Sequence, residues 1–200
     1  GYTQSYLRQP IVSRTEVRLA GFGGQGLILA GILLGHAAAA HEGKKAVQTQ
    51  SYGSETRGGA ARSEVVISNE RIDYPKVISA DITITMSQEA FDMYASDIRP
   101  GRKLFIDADL VSSVPADLES VLCRIPATKI AAEELKKTLV ANMVMLGAVV
   151  AVTKVVELAS LEKSIRELAP KGSIDLNIRA LERGFEWANA HLRSEMGRGG

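Results

Sequence analysis

The chain has 200 residues, 46% of them apolar, and a formal net charge of +1. That length and composition suit one globular domain with a sizeable core, and the near balance of charge excludes a large basic field for non-specific nucleic-acid binding. A single cysteine, Cys123, excludes an internal disulfide framework and any iron–sulfur cluster or Cys-rich zinc site built by this chain alone.

Residues 1–14, with Gln4, Arg8, Gln9 and Pro10, show neither helical nor strand periodicity and read as an N-terminal arm. No charged-then-apolar signal pattern opens them, so a cytoplasmic setting is expected. Val17, Leu19 and Ala20 then lead into Gly21-Phe22-Gly23-Gly24-Gln25-Gly26, in which Gly21, Gly23 and Gly26 stand at G-x-G-x-x-G spacing before an apolar run over 27–40. The pattern predicts a strand, a tight turn and a helix. Gly21 and Gly23 are expected to allow backbone angles and close approaches that a side chain forbids, and Gly26 to let the helix sit close to its strand. Backbone N–H groups at the helix start are then free to hold an anion, most often a phosphate. Gly43 is the expected C-cap, with Lys44 and Lys45 suited to the helix dipole. A short second strand over 46–50 returns the chain, by an ordinary βαβ step, to the edge that carries the glycine turn.

At that edge residues 48–62 collect hydroxyls, the carboxylate of Glu55, the guanidinium groups of Arg57 and Arg62, and Gly53, Gly58 and Gly59. A connecting turn needs fewer residues, so the loop reads as functional, with a flexible hairpin tip as the alternative. Strands follow over 63–69, 81–86, 103–106 and 120–124, and Ser87 is the expected N-cap of a helix over 88–96. Asp107 and Asp109 read as a solvated turn, because no His or Glu stands at ligand spacing beside them. Cys123 reads as a small buried hydrophobe. The rest is helical: 127–137, then 139–156, apolar nearly all round with Met143 and Met145 as core filler, then 161–169 capped by Ser160 and ended by Pro170, then 174–192. Residues 195–200 form a tail. The whole predicts an α/β fold, a Rossmann-like three-layer domain over 15–194 with a mostly parallel sheet flanked by helices.

A Rossmann NAD site needs an acidic residue at the end of the second strand, and this chain offers Gln48, Gln50 and Ser51 there. His36, His41 and His191 lie on or beside helices away from the loop edge and read as surface or packing residues without convergent partners. Neither a catalytic group nor a metal site is expected. The longest apolar stretch carries Asn142 and is too short for a comfortable membrane span.

Three segments together, 21–26, 51–59 (Ser51-Tyr52-Gly53-Ser54-Glu55-Thr56-Arg57-Gly58-Gly59) and 142–148 (Asn142-Met143-Val144-Met145-Leu146-Gly147-Ala148), resemble the gamma subunit of the 2-oxoacid:ferredoxin (acceptor) oxidoreductases. The similarity runs from about Thr15 to Ala190 and takes in Ser87-Gln88-Glu89-Ala90 and Arg179-Ala180-Leu181-Glu182-Arg183-Gly184. The resemblance implies a gamma-type subunit, inactive alone, of a complex that oxidatively decarboxylates a 2-oxoacid to an acyl-CoA. It implies thiamine diphosphate and iron–sulfur clusters in partner subunits, namely alpha, beta and a ferredoxin-like delta, together with an external electron acceptor. Coenzyme A is then the co-substrate on this chain's side. On chemical grounds the candidates for holding it are Gly21, Gly23, Gly24, Gln25 and Gly26 at the turn, Tyr52, Ser54, Arg57, Gly58 and Gly59 in the loop, and Gln88 at the same edge. Two alternatives stand beside this reading: a self-sufficient NAD-dependent dehydrogenase, and a purely structural assembly subunit whose loop is an interface.

Overall fold

The structure, a computed structural model, describes residues 13–53 and 60–192. Most of the N-terminal arm, the loop residues 54–59 and the tail lie outside the described residues. The elements in chain order are β1 (Arg14–Phe22), α1 (Leu27–His36), β2 (Lys45–Tyr52), β3 (Ala60–Ser68), β4 (Ile82–Thr85), α2 (Gln88–Tyr94), β5 (Lys103–Asp107), β6 (Leu122–Ile125), α3 (Ala127–Glu133), α4 (Ala141–Thr153), α5 (Leu158–Leu168) and α6 (Ile174–His191). A π-helical turn, Ala37–His41, extends α1.

All six expected strands form one sheet in the order β2-β3-β1-β4-β5-β6. β1, β4, β5 and β6 are mutually parallel, and β3 runs antiparallel to both β1 and β2. β2 therefore points the same way as β1, as expected, but β3 lies between them. The cause is the connection: residues 53–59 are too few for a parallel crossover, so the chain leaving β2 can only turn back. The carboxyl ends of β1 and β2 are still brought to one edge, since Phe22 pairs with Ala60 and Tyr52 with Ala61.

Alternation along the strands separates two cores. Val17, Leu19, Val65, Ile84 and Phe105 point to the face covered by α1 and α4, where the larger core lies. Leu104 and Ile106 point to the other face, where Phe91 and Ala95 from α2 and the turn after it close a smaller cluster. The three layers are thus unequal. Every residue of α4 from Ala141 to Ala151 is buried, which explains why its sequence lacks a polar face. Met143 and Met145 fill core, at 0% and 2% exposure.

Helix α6 presses on α4 backbone to backbone at two glycines. A Cβ on Gly147 would fall 2.0 Å from the Leu181 carbonyl oxygen, and one on Gly184 would fall 1.8 Å from the Val144 carbonyl oxygen. Ser87 caps α2 as its sequence predicts, its Oγ accepting the Ala90 N–H at 3.1 Å, and Gly43 takes the left-handed conformation. The cap expected at Ser160 is not made. α5 starts earlier, after Glu157, whose own N–H is held by the Glu42 carboxylate at 2.8 Å, and Ser160 is buried inside the first turn. Cys123 is half-buried at the margin of the larger core rather than within it.

Candidate functional site

The glycine turn is built differently from the expectation in one respect. Positive φ occurs at Gly24 (87°) and Gly26 (75°), not at Gly21 or Gly23. Gly21 is needed for space instead: a Cβ there would fall 2.2 Å from Gln25 Oε1. The Gln25 side chain is the turn's internal brace, since Oε1 accepts the Phe22 N–H at 2.7 Å and Nε2 donates to the Met86 carbonyl at 2.9 Å. That second bond ties the turn to the end of β4. Gly26 is the N-cap residue of α1, and the element close to it is α4 rather than a strand: Asn142 Nδ2 donates to the Gly26 carbonyl at 2.9 Å. Among the described residues no side chain caps α1, and its first turn carries no acidic residue, so no described carboxylate there compensates the positive end of the helix.

Beside the turn, at the carboxyl ends of β1 and β2, lies a cleft of about 160 Å³ lined by Gly21, Ser51, Tyr52, Gly53, Arg62, Ser87, Glu89, Met93 and Tyr94 among others. Tyr52 is 67% exposed on its rim. Among the described residues the cleft's cation is Arg62, whose Nη1 donates to the Tyr94 hydroxyl oxygen at 3.2 Å and whose Nε stands 3.5 Å from Glu64 Oε1. Arg18 donates to the other oxygen of Glu64 at 2.9 Å and stacks its guanidinium 4.8 Å from the Tyr94 ring centroid. One carboxylate thus serves two cations, and Glu89 of α2 brings a second carboxylate to the cleft lining. On the turn's other side, Gly24, Gln25, Met86, Thr128, Thr138 and Leu139 line a second hollow of about 240 Å³.

The sequence-derived candidates therefore fall into groups. Gly21 and Tyr52 line the cleft, while Gly24 and Gln25 line the hollow. Gly23 and Gly26 complete the turn between them. Gln88 is occupied elsewhere, its Oε1 accepting the Ser112 and Ser113 N–H groups and its Nε2 donating to the Ser113 carbonyl and Asp92. It braces the segment after β5 and lines neither space. Ser54, Arg57, Gly58 and Gly59 lie outside the described residues. Ser51 and Arg62, which belong to the 48–62 segment expected to be functional, and Glu89 and Tyr94 on α2 line the cleft and stand outside the candidates named for coenzyme A. The sequence carries a signal for two of them: Arg62 and Glu64 share one face of β3 by strand alternation, and Ala90 and Tyr94 share one face of α2 by helical spacing.

Asp107 is not in a solvated turn. It is fully buried, its Oδ2 accepting from the Thr128 hydroxyl at 2.6 Å and from the Thr128 N–H at 3.2 Å, and its Oδ1 accepting from the Asp109 N–H at 3.0 Å. Burial raises its pKa above the ordinary carboxylate value, and the Thr128 and Asp109 bonds oppose that rise. With Asp109, which accepts the Lys129 N–H, it holds the start of α3. His36 and His41 likewise do not lack convergent partners, because both reach Glu167. His191 stacks on Trp187 as a packing residue.

Residues 16–187 match the family described as pyruvate ferredoxin/flavodoxin oxidoreductase. The chain belongs to this family. It is 50% identical to the 2-oxoglutarate synthase subunit KorC of Methanocaldococcus jannaschii over 183 residues, 90% of this chain and 97% of that subunit. Among solved structures of the family, the gamma subunit of a keto/oxoacid ferredoxin oxidoreductase from Geobacter sulfurreducens superposes with a TM-score of 0.76 at 39% identity, covering 88% of this chain and 99% of that one. A 2-oxoglutarate:ferredoxin oxidoreductase from Magnetococcus marinus, solved with 2-oxoglutarate, coenzyme A and succinyl-CoA bound, gives the same score at 25% identity over 88% of this chain and 31% of that longer chain. The family resemblance read from the three sequence segments is borne out, as is the mostly parallel α/β fold.

Proposed function

We propose that this chain is the gamma subunit of a multi-subunit enzyme that oxidatively decarboxylates a 2-oxoacid to an acyl-CoA, and that it supplies the coenzyme A side of the active site. The observation that carries the reading is the juxtaposition, at one sheet edge, of the N-terminus of α1, whose first turn carries no acidic residue, with the Arg62-bearing cleft. Coenzyme A asks for both. Its phosphates suit N–H donors and a guanidinium, and its thiol-bearing arm suits a narrow open cleft rimmed by an aromatic side chain. Gly24 leaves open space for backbone approach, Gly23 and Gly26 complete the turn, Tyr52 flanks the arm, and Ser54, Arg57, Gly58 and Gly59 are the loop's candidates for contacting it. Gln25 contributes by holding the turn's shape.

The reaction's other parts belong to partner subunits: thiamine diphosphate for decarboxylation and iron–sulfur clusters for passing electrons to an external acceptor. One cysteine in this chain is consistent with that division. Likeness to the KorC subunits favours 2-oxoglutarate as the oxoacid. Among the described residues no helix is long and apolar enough to cross a membrane, which fits a cytoplasmic complex. A self-sufficient NAD dehydrogenase is disfavoured, because the end of β2 presents Gln48, Gln50 and Ser51 where a ribose-binding acid is needed.

The test is a steady-state titration of coenzyme A on the assembled complex with the 2-oxoacid saturating. Loss of a charged hydrogen bond in Arg57→Ala, worth roughly 1.5–3 kcal/mol, should raise the apparent KM for coenzyme A about tenfold or more. An unchanged coenzyme A dependence in a fully assembled variant removes Arg57 from the site. Failure to assemble supports the interface reading of the loop.

A further inference from the structure

At the far end of α1, about 15 Å along the helix from the glycine turn, three side chains converge that the proposed coenzyme A site does not use. They are His36, His41 and Glu167, whose candidate ligand atoms all lie within 4.8 Å of one another. His36 Nε2 stands 3.5 Å from Glu167 Oε2, and His41 Nε2 stands 3.1 Å from Glu167 Oε1. The ring centroids are 5.5 Å apart, the planes crossing at 72°.

The backbone is shaped to make this meeting possible. In an α-helix, residues five apart sit roughly 140° apart around the axis, so His36 and His41 would face different ways. The chain instead leaves α1 through the π-helical turn Ala37–His41, whose wider i→i+5 spacing brings the two imidazoles nearer one face, toward α5. Two further observations concern the nitrogens. His36 Nδ1 is 2.8 Å from Ser164 Oγ, and Ser164 is fully buried, so the imidazole is oriented with Nε2 toward Glu167. His41 Nε2 is sealed from solvent, and its approach to Glu167 lacks the geometry of a hydrogen bond. A buried nitrogen in that state asks for a partner.

We propose that His36, His41 and Glu167 form a binding site for a divalent transition metal, zinc by preference, with Nε2 of each imidazole and one Glu167 oxygen as ligands and solvent in the fourth position. Two imidazoles and a carboxylate are a donor set that zinc accepts, and their present separations need only side-chain adjustment to reach ligand distances of about 2.0–2.2 Å. The Ser164 oxygen acts behind the site: accepting Nδ1–H of His36, it fixes the tautomer that leaves Nε2 free to ligate. The metal would pin the end of α1 to α5.

The experiment is calorimetric titration of Zn²⁺ into the full-length, chelator-stripped chain in a Cys123→Ala background, which removes thiolate binding. One site per chain is expected. Ser164→Ala should weaken it roughly 10–100-fold, and His36→Gln/His41→Gln should abolish it. Absence of a Zn²⁺ site, or its persistence in the double variant, overturns the proposal. Should the double variant fail to fold, long-range ¹H–¹⁵N spectra of the His36 and His41 rings in the unaltered ligand set decide. Zn²⁺ should shift both Nε2 resonances, and rings that stay unmoved at saturating Zn²⁺ overturn the site equally.

Discussion

Asn142 and Gly26 are fitted to each other across 116 residues of sequence: Asn142 Nδ2 donates to the Gly26 carbonyl at 2.9 Å, and a Cβ on Gly26 would fall 2.3 Å from that same nitrogen. The central helix α4 thereby sets the position of the turn that starts α1. Asn142→Ala should cost about 1 kcal/mol for the lost bond. Gly26→Ala should cost more, roughly 1–2 kcal/mol for the left-handed backbone alone, with displacement of Asn142 in addition. The double variant should be less destabilised than the sum, because removing Asn142 relieves the collision. Urea unfolding of the four forms measures this, and strict additivity would show that the two residues do not share the contact.

The packing of α4 on α6 yields a second expectation. Gly147 and Gly184 each admit a carbonyl of the opposite helix where a Cβ would stand, so Gly147→Ala or Gly184→Ala must push the helix axes apart. Each should destabilise by about 1–3 kcal/mol or more, as overpacking does. Once either has separated the helices, the second should add little. Thermal unfolding of the two single variants and the double variant reads the coupling, and full additivity would mean the helices accommodate each alanine locally.

How much of this was legible in the sequence follows from the range of the forces involved. Strands, helix faces and the Ser87 cap come from local spacing and were readable, as was α4's burial from its lack of a polar face. The insertion of β3 between β1 and β2 was not, because strand alternation fixes faces and says nothing of neighbours. Asp107 looked like a turn residue because Thr128, which satisfies it, is 21 positions away. His36 and His41 looked partnerless because Glu167 arrives from α5 and because a π-turn does not announce itself in side-chain period. Gln25 and Gln88 have the chemistry of ligand groups, yet both side chains brace neighbouring backbone.

Burial raises the Asp107 pKa above its ordinary value of 3.8, which sets the sign of a pH effect. The folded state holds this proton more tightly than the unfolded one, so the folded state binds more protons over the interval from about pH 4 up to the raised pKa. Across that interval stability must fall as pH rises. Asp107→Asn removes the titration, at the cost of a poorer partner for the Thr128 N–H. The difference in unfolding free energy, parent minus Asp107→Asn, should therefore be largest at acid pH, decline through the interval and flatten above it. Denaturant midpoints of both proteins across that range give the curve, and a difference independent of pH would place the Asp107 pKa at its unfolded value.

Arg62 gives the sharpest test of the cleft. Its side chain is 39% exposed, and the partners it has, Glu64 at 3.5 Å and the Tyr94 hydroxyl at 3.2 Å, leave guanidinium N–H groups to spare. An exposed ion pair of this kind contributes at most about 1 kcal/mol to folding, so Arg62→Ala should leave the isolated chain nearly as stable as before. In the assembled enzyme the same change should raise the apparent KM for coenzyme A about tenfold, which corresponds to 1.4 kcal/mol, and leave kcat nearly unchanged because the residue acts in binding. Arg62→Lys should recover part of the loss, since an ammonium supplies charge without the two-pronged donor. Tyr94→Phe removes the hydroxyl that receives Arg62 and should show a smaller rise, by loosening the guanidinium rather than deleting it. A coenzyme A titration unchanged in Arg62→Ala, with assembly intact, would take the cleft out of the binding site and leave the phosphates to the glycine turn and the 54–59 loop.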